Sequence, residues 1–357
     1  MAENLQIGLI YGNGELNQSI AEQQLGARLA AAHSREAADS SAASPELIER
    51  PISSETDVDG IAVELTAKAG CQVLLGAVNV PVSIAIAKWA EAHGVLYMTA
   101  NNNVKVHNGR RHVFHIGVPS EVTNQAVADY LASGPGALSV SVLYTADEFQ
   151  ANAAELCVAA IRLHSTPANG QPISDDPAED RQLIGRIRAA GPSAVYILAS
   201  DLDRVAALTR IAHDLGGFPP ILYARGMVCR EFVARVGDLS AGHDFVDLLV
   251  RDDRAPAEEK ALRQALAQFD AGLVATASHA FGWDGLRLLV SAYEAAGPTA
   301  ADQVAFLEGL KGHHGATGDL TFTAKDHNGH GPHDPTTISR LEHGQFKVVS
   351  TVNRVLA

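Results

Sequence analysis

Short apolar, β-branched runs alternate with Ala-rich stretches of helical period along most of this chain, and no other feature narrows its possible folds as much. IGLIY (residues 7–11) precedes a predicted helix over 19–32. After the polar stretch HSREAADSSAASPE comes LIERPI. A helix over 57–69 leads to CQVLLGA (71–77), and another over 82–93 leads to VLYMTA (95–100). Strands buried on both faces read as continuous apolar runs, and parallel neighbours need long, usually helical, crossovers. The rhythm then restarts. VFHIGVP (113–119) opens a helix over 121–131, LSVSVLY (138–144) a helix over 148–163, and a helix over 180–190 leads to AVYILAS (194–200). A last helix over 202–215 leads to PILYA (220–224). The expectation is an α/β protein of two doubly wound parallel-sheet lobes, with ligand-facing loops at the carboxyl ends of the strands.

Length agrees with two lobes, since 357 residues exceed what one ordinary core holds. A formal net charge of −14, with no Lys/Arg run, repels phosphate backbones and anionic lipid, so neither nucleic acid nor a membrane surface is an expected partner. The longest apolar runs, such as 73–75 with Ala77 and Val78, are far too short to span a bilayer. No signal peptide stands between MAENLQ and the first predicted strand. Two expectations stay open: a mature periplasmic form, or a cytoplasmic protein. Cys71, Cys157 and Cys229 are odd in number, lack CxxC spacing and sit in apolar runs, so they read as small hydrophobes rather than a disulfide framework.

The stretch 278–331, SHAFGWDGLRLLVSAYEAAGPTAADQVAFLEGLKGHHGATGDLTFTAKDHNGHG, reads as a long amphipathic helix, a short acidic helix, a Gly-rich turn and a β segment. It resembles the late part of type I periplasmic binding proteins, the branched-chain amino-acid (Leu/Ile/Val) receptor family of ABC importers. VELTAKAGCQVLLGAVNVPVSIAIAKWAEAHGVLYMTANNN resembles the family's first-lobe core. VLYTADEFQANAAELCVAAIR and LIGRIRAAGPSAVYILASDLDRVAALTRIAHDLG are similar to its second lobe.

The resemblance implies two lobes joined by three crossovers, residues 1–117 with 251–322 and 118–250 with 323–357. It also implies reversible capture of a small organic solute in the interlobe cleft, no catalysis and no cofactor, and docking on a membrane permease if the protein is periplasmic. Carried over by position, the ligand loops would be Tyr11 and Asn13; Asn79, Val80 and Pro81; Asn101, Asn102 and Asn103; and Phe149, Ser200 and Arg225. The family's acidic residue for an α-ammonium is replaced by Arg225, its second-lobe tyrosine by Phe149, and its hydroxyl residues by Val80, Pro81 and Asn103. An arginine repels an ammonium and pairs with a carboxylate, so the expected ligand is a carboxylate or amide with an apolar or aromatic part.

Other features read two ways. The GNG turn (12–14) lacks the third glycine of a dinucleotide site and any GKS/GKT, and is taken as a tight turn. His313, His314, His327, His330 and His333, with Asp326 and Asp334, follow no fixed metal spacing, so no metal is expected. The triple Asn is either a ligand loop or a capping turn. Trp283 is either core packing or a ligand stack, and Arg225 either a ligand contact or an interlobe partner of Asp201 or Asp203. No GxSxG, HExxH, Cys–His pair or glycosidase-like carboxylate pair supports an enzyme. The rivals of the importer reading are a cytoplasmic ligand sensor of the same fold, similar to the amide-sensing regulators, and an α/β enzyme.

Overall fold

A computed structural model describes residues 4–12, 18–37, 44–77, 79–133, 139–331, 334 and 336–352. The chain divides into two units. One comprises Met1–Pro119, Pro256–Ala271 and Ala275–Gly331, the other Ser120–Ala255, Gly272–Val274 and Pro332–Ala357.

The first unit opens with β1 (Leu5–Gly12), α1 (Gln18–Ala37), β2 (Pro45–Ile52), α2 (Val58–Val63), β3 (Val73–Ala77), α3 (Val80–His93), β4 (Leu96–Thr99), α4 (Val104–His107) and β5 (Val113–His115). The second follows with α5 (Ser120–Ser133), β6 (Val140–Thr145), α6 (Glu148–Leu163), β7 (Ala168–Ile173), α7 (Asp180–Ala190), β8 (Ala194–Leu198), α8 (Leu202–Leu215), β9 (Ile221–Tyr223), α9 (Arg230–Val236) and β10 (Asp244–Asp247). Helices α10 (Ala257–Phe269), α11 (Ala277–Ala296) and α12 (Ala300–Glu308) and the short ribbon β11 (His313–Gly315) and β12 (Gly318–Leu320) return to the first unit. The hairpin of β13 (Thr336–Glu342) and β14 (Gln345–Val352) ends the second.

The expected doubly wound sheets are present. Five parallel strands in the order β2-β1-β3-β4-β5 form the first sheet. The second has the order β14-β13-β10-β9-β8-β6-β7, parallel except for its last two strands, which pair antiparallel. Alternation along its strands explains their continuous apolar runs. Val195, Ile197, Tyr223 and Phe245 bury into one layer, while Tyr196, Leu222 and Val246 bury into the layer on the opposite face. In the first unit Leu74, Ile86, Trp89, Tyr97 and Val113 share one core.

Helix starts follow local chemistry. The Asn79 side chain accepts from Val82 N–H at 3.1 Å, with Pro81 in the first turn of α3. Thr276 Oγ1 accepts from His279 N–H at 3.2 Å, and His279 Nδ1 reaches back to Thr276 N–H at 3.3 Å, a reciprocal cap for α11.

The expected divisions at 117, 250 and 322 fall two, five and nine residues before those of the units, at 119, 255 and 331. Residues 327–329 lie along β5, where His115 N–H donates to His327 O (2.9 Å) and Gly329 N–H to His115 O (2.8 Å). Residues 251–255 stay with the second unit, where Arg251 binds Asp247.

Helix α11 is buried along most of its length and packs on α1 at very close range. A Cβ added at Gly26 would run into the His279 carbonyl, and one at Gly282 into that of Gln23. Trp283 is fully buried and donates from Nε1 to Glu258 Oε2 at 2.7 Å, so it is a core residue with a satisfied polar tip. Next to it, buried Asp284 accepts from Ala316 N–H (2.7 Å), Thr317 N–H (2.9 Å) and Thr317 Oγ1 (2.6 Å). Burial raises its pKa to about 6 against the pull of those donors. The Thr317 hydroxyl, having donated to Asp284, receives His330 Nε2–H at 3.0 Å.

Gly282→Ala is expected to destabilise the protein by about 1–3 kcal/mol in urea unfolding, because neither helix backbone can withdraw without opening the core. Gly185→Ala, on α7 with open space around an added methyl, should be neutral or stabilising by up to about 1 kcal/mol. Equal effects at both positions would remove the close-approach account.

Candidate ligand-binding site

Register places the candidate residues. In the first sheet Tyr11 is level with Ala77, Gly76 with Thr99, and Thr99 with His115. The loops that follow these strands therefore leave one edge together: Asn79, Val80 and Pro81 after β3, and Asn101, Asn102 and Asn103 after β4. Ligands of open parallel sheets bind at such an edge. Tyr11, Gly76, Ala100, Ile116 and Phe281 help to line a cavity of about 10 Å³ there, room for about one water. Asn13 lies outside the described residues.

The polar groups of this edge brace one another. Asn101 Nδ2 donates to Ser83 Oγ at 3.0 Å, which ties the β4 loop to α3. Asn101 Oδ1 accepts from Asn103 N–H (3.1 Å) and Asn103 Oδ1 from Lys105 N–H (3.0 Å), so the loop also performs the capping role that Asn favours. Asn102 faces a buried imidazole: its Oδ1 is 3.0 Å from His115 Nε2, and His115 Nδ1 is 2.9 Å from Asn328 Oδ1.

His115 is wholly buried, and burial lowers its pKa to about 3; the charge of neighbouring His107, stacked 4.6 Å away, acts the same way, and the bond to Asn328 opposes both. The ring is therefore neutral near pH 7 and donates from one nitrogen only. Asn328 Nδ2 is committed to Asp326 Oδ1 at 2.8 Å, so its oxygen takes Nδ1–H.

In the second unit Ile197 is level with Tyr223, and Tyr223 with Phe245. Ser200, Arg225 and Asp247 therefore follow their strands at one edge. Ser200 is exposed, and Asp201 behind it caps α8 through Asp203 N–H (2.9 Å) and Arg204 N–H (3.0 Å). Phe149 belongs to the first turn of α6, and its side chain lies outside the described residues.

Arg225 starts a single 3₁₀ turn after β9. Burial lowers its pKa, while Tyr196 and Asp247 pull the other way. The alternative reading of Arg225 as an interlobe partner of Asp201 or Asp203 is corrected: all three belong to one unit, Asp201 is a helix cap and Asp203 pairs with Arg235 at 2.6 Å.

Asp247, unnoticed in the sequence, is the centre of this edge. Fully buried, it accepts from Arg251 Nε (2.6 Å), Ser339 Oγ (2.9 Å), Leu248 N–H (2.8 Å) and Leu249 N–H (3.3 Å). Arg251 adopts φ 63°, a left-handed conformation that costs energy for a residue with a side chain. The charge-assisted bonds to Asp247 hold it there. An acidic residue inside the apolar run DFVDLLV was the signal that could have revealed the anchor.

The C-terminal histidines have local tasks. His327 binds Val113 O (3.0 Å) and Glu308 (3.2 Å), His314 binds Asp319 (2.6 Å), and His330 binds Thr317. His333 lies outside the described residues, among which no cluster of His, Cys, Asp and Glu has metal-site geometry. Among them, too, no helix is long and apolar enough to cross a membrane.

Asp247→Ala is expected to cost about 3–5 kcal/mol in urea unfolding, because it removes the carboxylate that binds the buried Arg251 guanidinium and the Ser339 hydroxyl. A loss below about 1 kcal/mol would show that the edge is not held by this carboxylate.

No curated protein matches the sequence. Solved structures match over nearly the whole chain. A leucine-binding protein from Thermotoga maritima superposes with TM-score 0.81 at 18% identity, covering 98% of this chain and 99% of that one. The isoleucine complex of a branched-chain amino-acid transporter substrate-binding protein from Streptococcus pneumoniae gives 0.80 at 16%, covering 97% and 99%. The benzoate complex of an ABC-transporter solute-binding protein from R. palustris gives 0.79 at 15%, covering 99% and 98%. At these identities the likeness is one of fold. The family model described as periplasmic binding protein matches residues 7–344. With that match and this architecture, the chain belongs to the periplasmic binding protein family and has its type I fold.

Proposed function

We propose that this chain is the solute-binding component of an ABC-type importer, which captures a small organic acid or amide reversibly and passes it unaltered to a membrane permease. Family membership over residues 7–344 supports the class of function. The observation that carries the ligand type is the charge at the second unit's strand edge. Asp247 binds Arg251, Ser339 and two backbone N–H groups, and Arg225 brings a second guanidinium to the same edge. The first unit offers neutral amides and a hydroxyl: Asn79, Asn101, Asn102, Asn103 and Tyr11. Such a set suits a carboxylate with an apolar or aromatic remainder and disfavours an ammonium, whose charge would meet a guanidinium at this edge. In this reading Val80 and Pro81 supply apolar contact, and Asn13, Phe149 and Ser200 complete the contacting set.

A solute that binds both units stabilises the conformation in which both touch it, which is how a binding protein signals occupancy to a partner. A thermal-shift screen with benzoate, small dicarboxylates, amides and leucine is the first test, since a bound ligand raises the apparent melting temperature by mass action. Carboxylates without an ammonium should give the largest shifts. Arg225→Ala should then weaken their binding by about 2–5 kcal/mol in calorimetry. Tight leucine binding unaffected by Arg225→Ala would contradict the proposed ligand class, and turnover of a bound compound would contradict the binding-protein reading.

A further inference from the structure

The first unit holds a second concavity, whose lining includes none of the residues proposed for the solute. It is a pocket of about 520 Å³ walled by α4, the turn after it and residues 324–328. Small-molecule sites fall in the range of about 300–1,000 Å³. Its lining carries Arg110, Arg111 and Lys325, the carboxylates Glu308 and Asp326, and the imidazole of His327.

The two carboxylates are occupied by the wall itself. Glu308 is bound by His327 Nε2 at 3.2 Å. Asp326 Oδ1 receives both the backbone N–H (3.0 Å) and the side-chain Nδ2 (2.8 Å) of Asn328. The cations are held differently. Arg110 is fixed over the end of α4 by two carbonyls, Val106 O at 2.9 Å from Nε and Lys105 O at 3.3 Å from Nη2. Those bonds orient the guanidinium without neutralising it. Arg111 and Lys325 are exposed and form no ion pair with any described residue. Three cations free of carboxylate partners among the described residues, against two carboxylates bonded to the wall, give the pocket a local excess of positive charge on a chain of net charge −14.

We propose that this pocket binds a small organic anion carrying two or more negative charges, a polycarboxylate or a phosphate ester, at a site distinct from the solute site. A pre-oriented guanidinium offers paired donors to a carboxylate or phosphate, and an ammonium on the facing segment can take a second charged group. An inorganic oxyanion would leave most of the volume empty, so the occupant has a carbon framework. The walls are rigid for the same reason that the candidate solute loop is. Asn103 caps the helix that forms one side, and Asn328, on the other, is bonded to His115.

The test is calorimetry at low ionic strength with citrate and, in parallel, adenosine monophosphate, which separates the two kinds of anion. At least one should bind saturably at one site per chain, and weaken with added salt. The double variant Arg111→Gln/Lys325→Gln should weaken that binding by roughly tenfold or more while the melting temperature of the unliganded protein stays put. Arg110 is left intact, because it also caps α4. Arg225→Ala should bind the same anion as wild type. The proposal is overturned if neither anion saturates a site, if the double variant binds as wild type does, or if Arg225→Ala removes the binding, which would place the anion at the solute site.

Discussion

The close approach of α1 and α11 is the contact on which most of the first unit depends. The two helices lie far apart in sequence, and only Gly26 and Gly282 let their backbones come together. Once α11 is seated, Asp284 is placed to receive Ala316 and Thr317, and with them the ribbon of β11 and β12. Thr317 then holds His330, residues 327–329 pair along β5, and Asn328 reaches His115. His115 in turn supports Asn102 in the loop after β4. A packing constraint between two glycines is thus transmitted, through fully satisfied buried polar groups, to a loop that could touch a ligand. Partly satisfied groups at the same depth would be costly.

The two strand edges solve different electrostatic problems. At the first, neutral amides and hydroxyls brace one another, and the His115 imidazole is kept uncharged by its burial. At the second, a fully buried carboxylate is surrounded by two arginines, a hydroxyl and two N–H groups. Removing charge from water demands partners of good geometry, and Asp247 obtains them partly by holding Arg251 in an unfavourable backbone conformation. Two guanidiniums therefore meet one carboxylate at this edge of an acidic protein.

Much of this was legible in the sequence, because buried parallel strands and their helices leave strong periodic signals. IGLIY, CQVLLGA, AVYILAS and PILYA all mark strands of the two sheets. Strand β7, ANGQPI, left almost no signal: it is an edge strand with exposed polar residues, paired only to β6. The β13–β14 hairpin was legible and unread, with His343 and Gly344 at positive φ making the turn between alternating strands. The site was harder. Residue types nominated the strand-end loops, but the bonds of Asn101 to Ser83 and of Asn102 to His115 span 18 and 13 residues, the Asn328 that holds His115 lies 213 residues on, and periodicity carries no record of those. The same holds for Asp247, whose partner Ser339 comes from the final hairpin.

The central claim is that the strand-end loops of this chain hold a solute and release it unchanged. Hydrogen–deuterium exchange with and without a saturating ligand, followed by mass analysis of the recovered ligand, tests it most directly. The account predicts added protection at residues 99–103 and at 199–201 and 224–227, with the ligand recovered intact. Protection confined to other parts of the chain, or recovery of a chemically altered ligand, would contradict it.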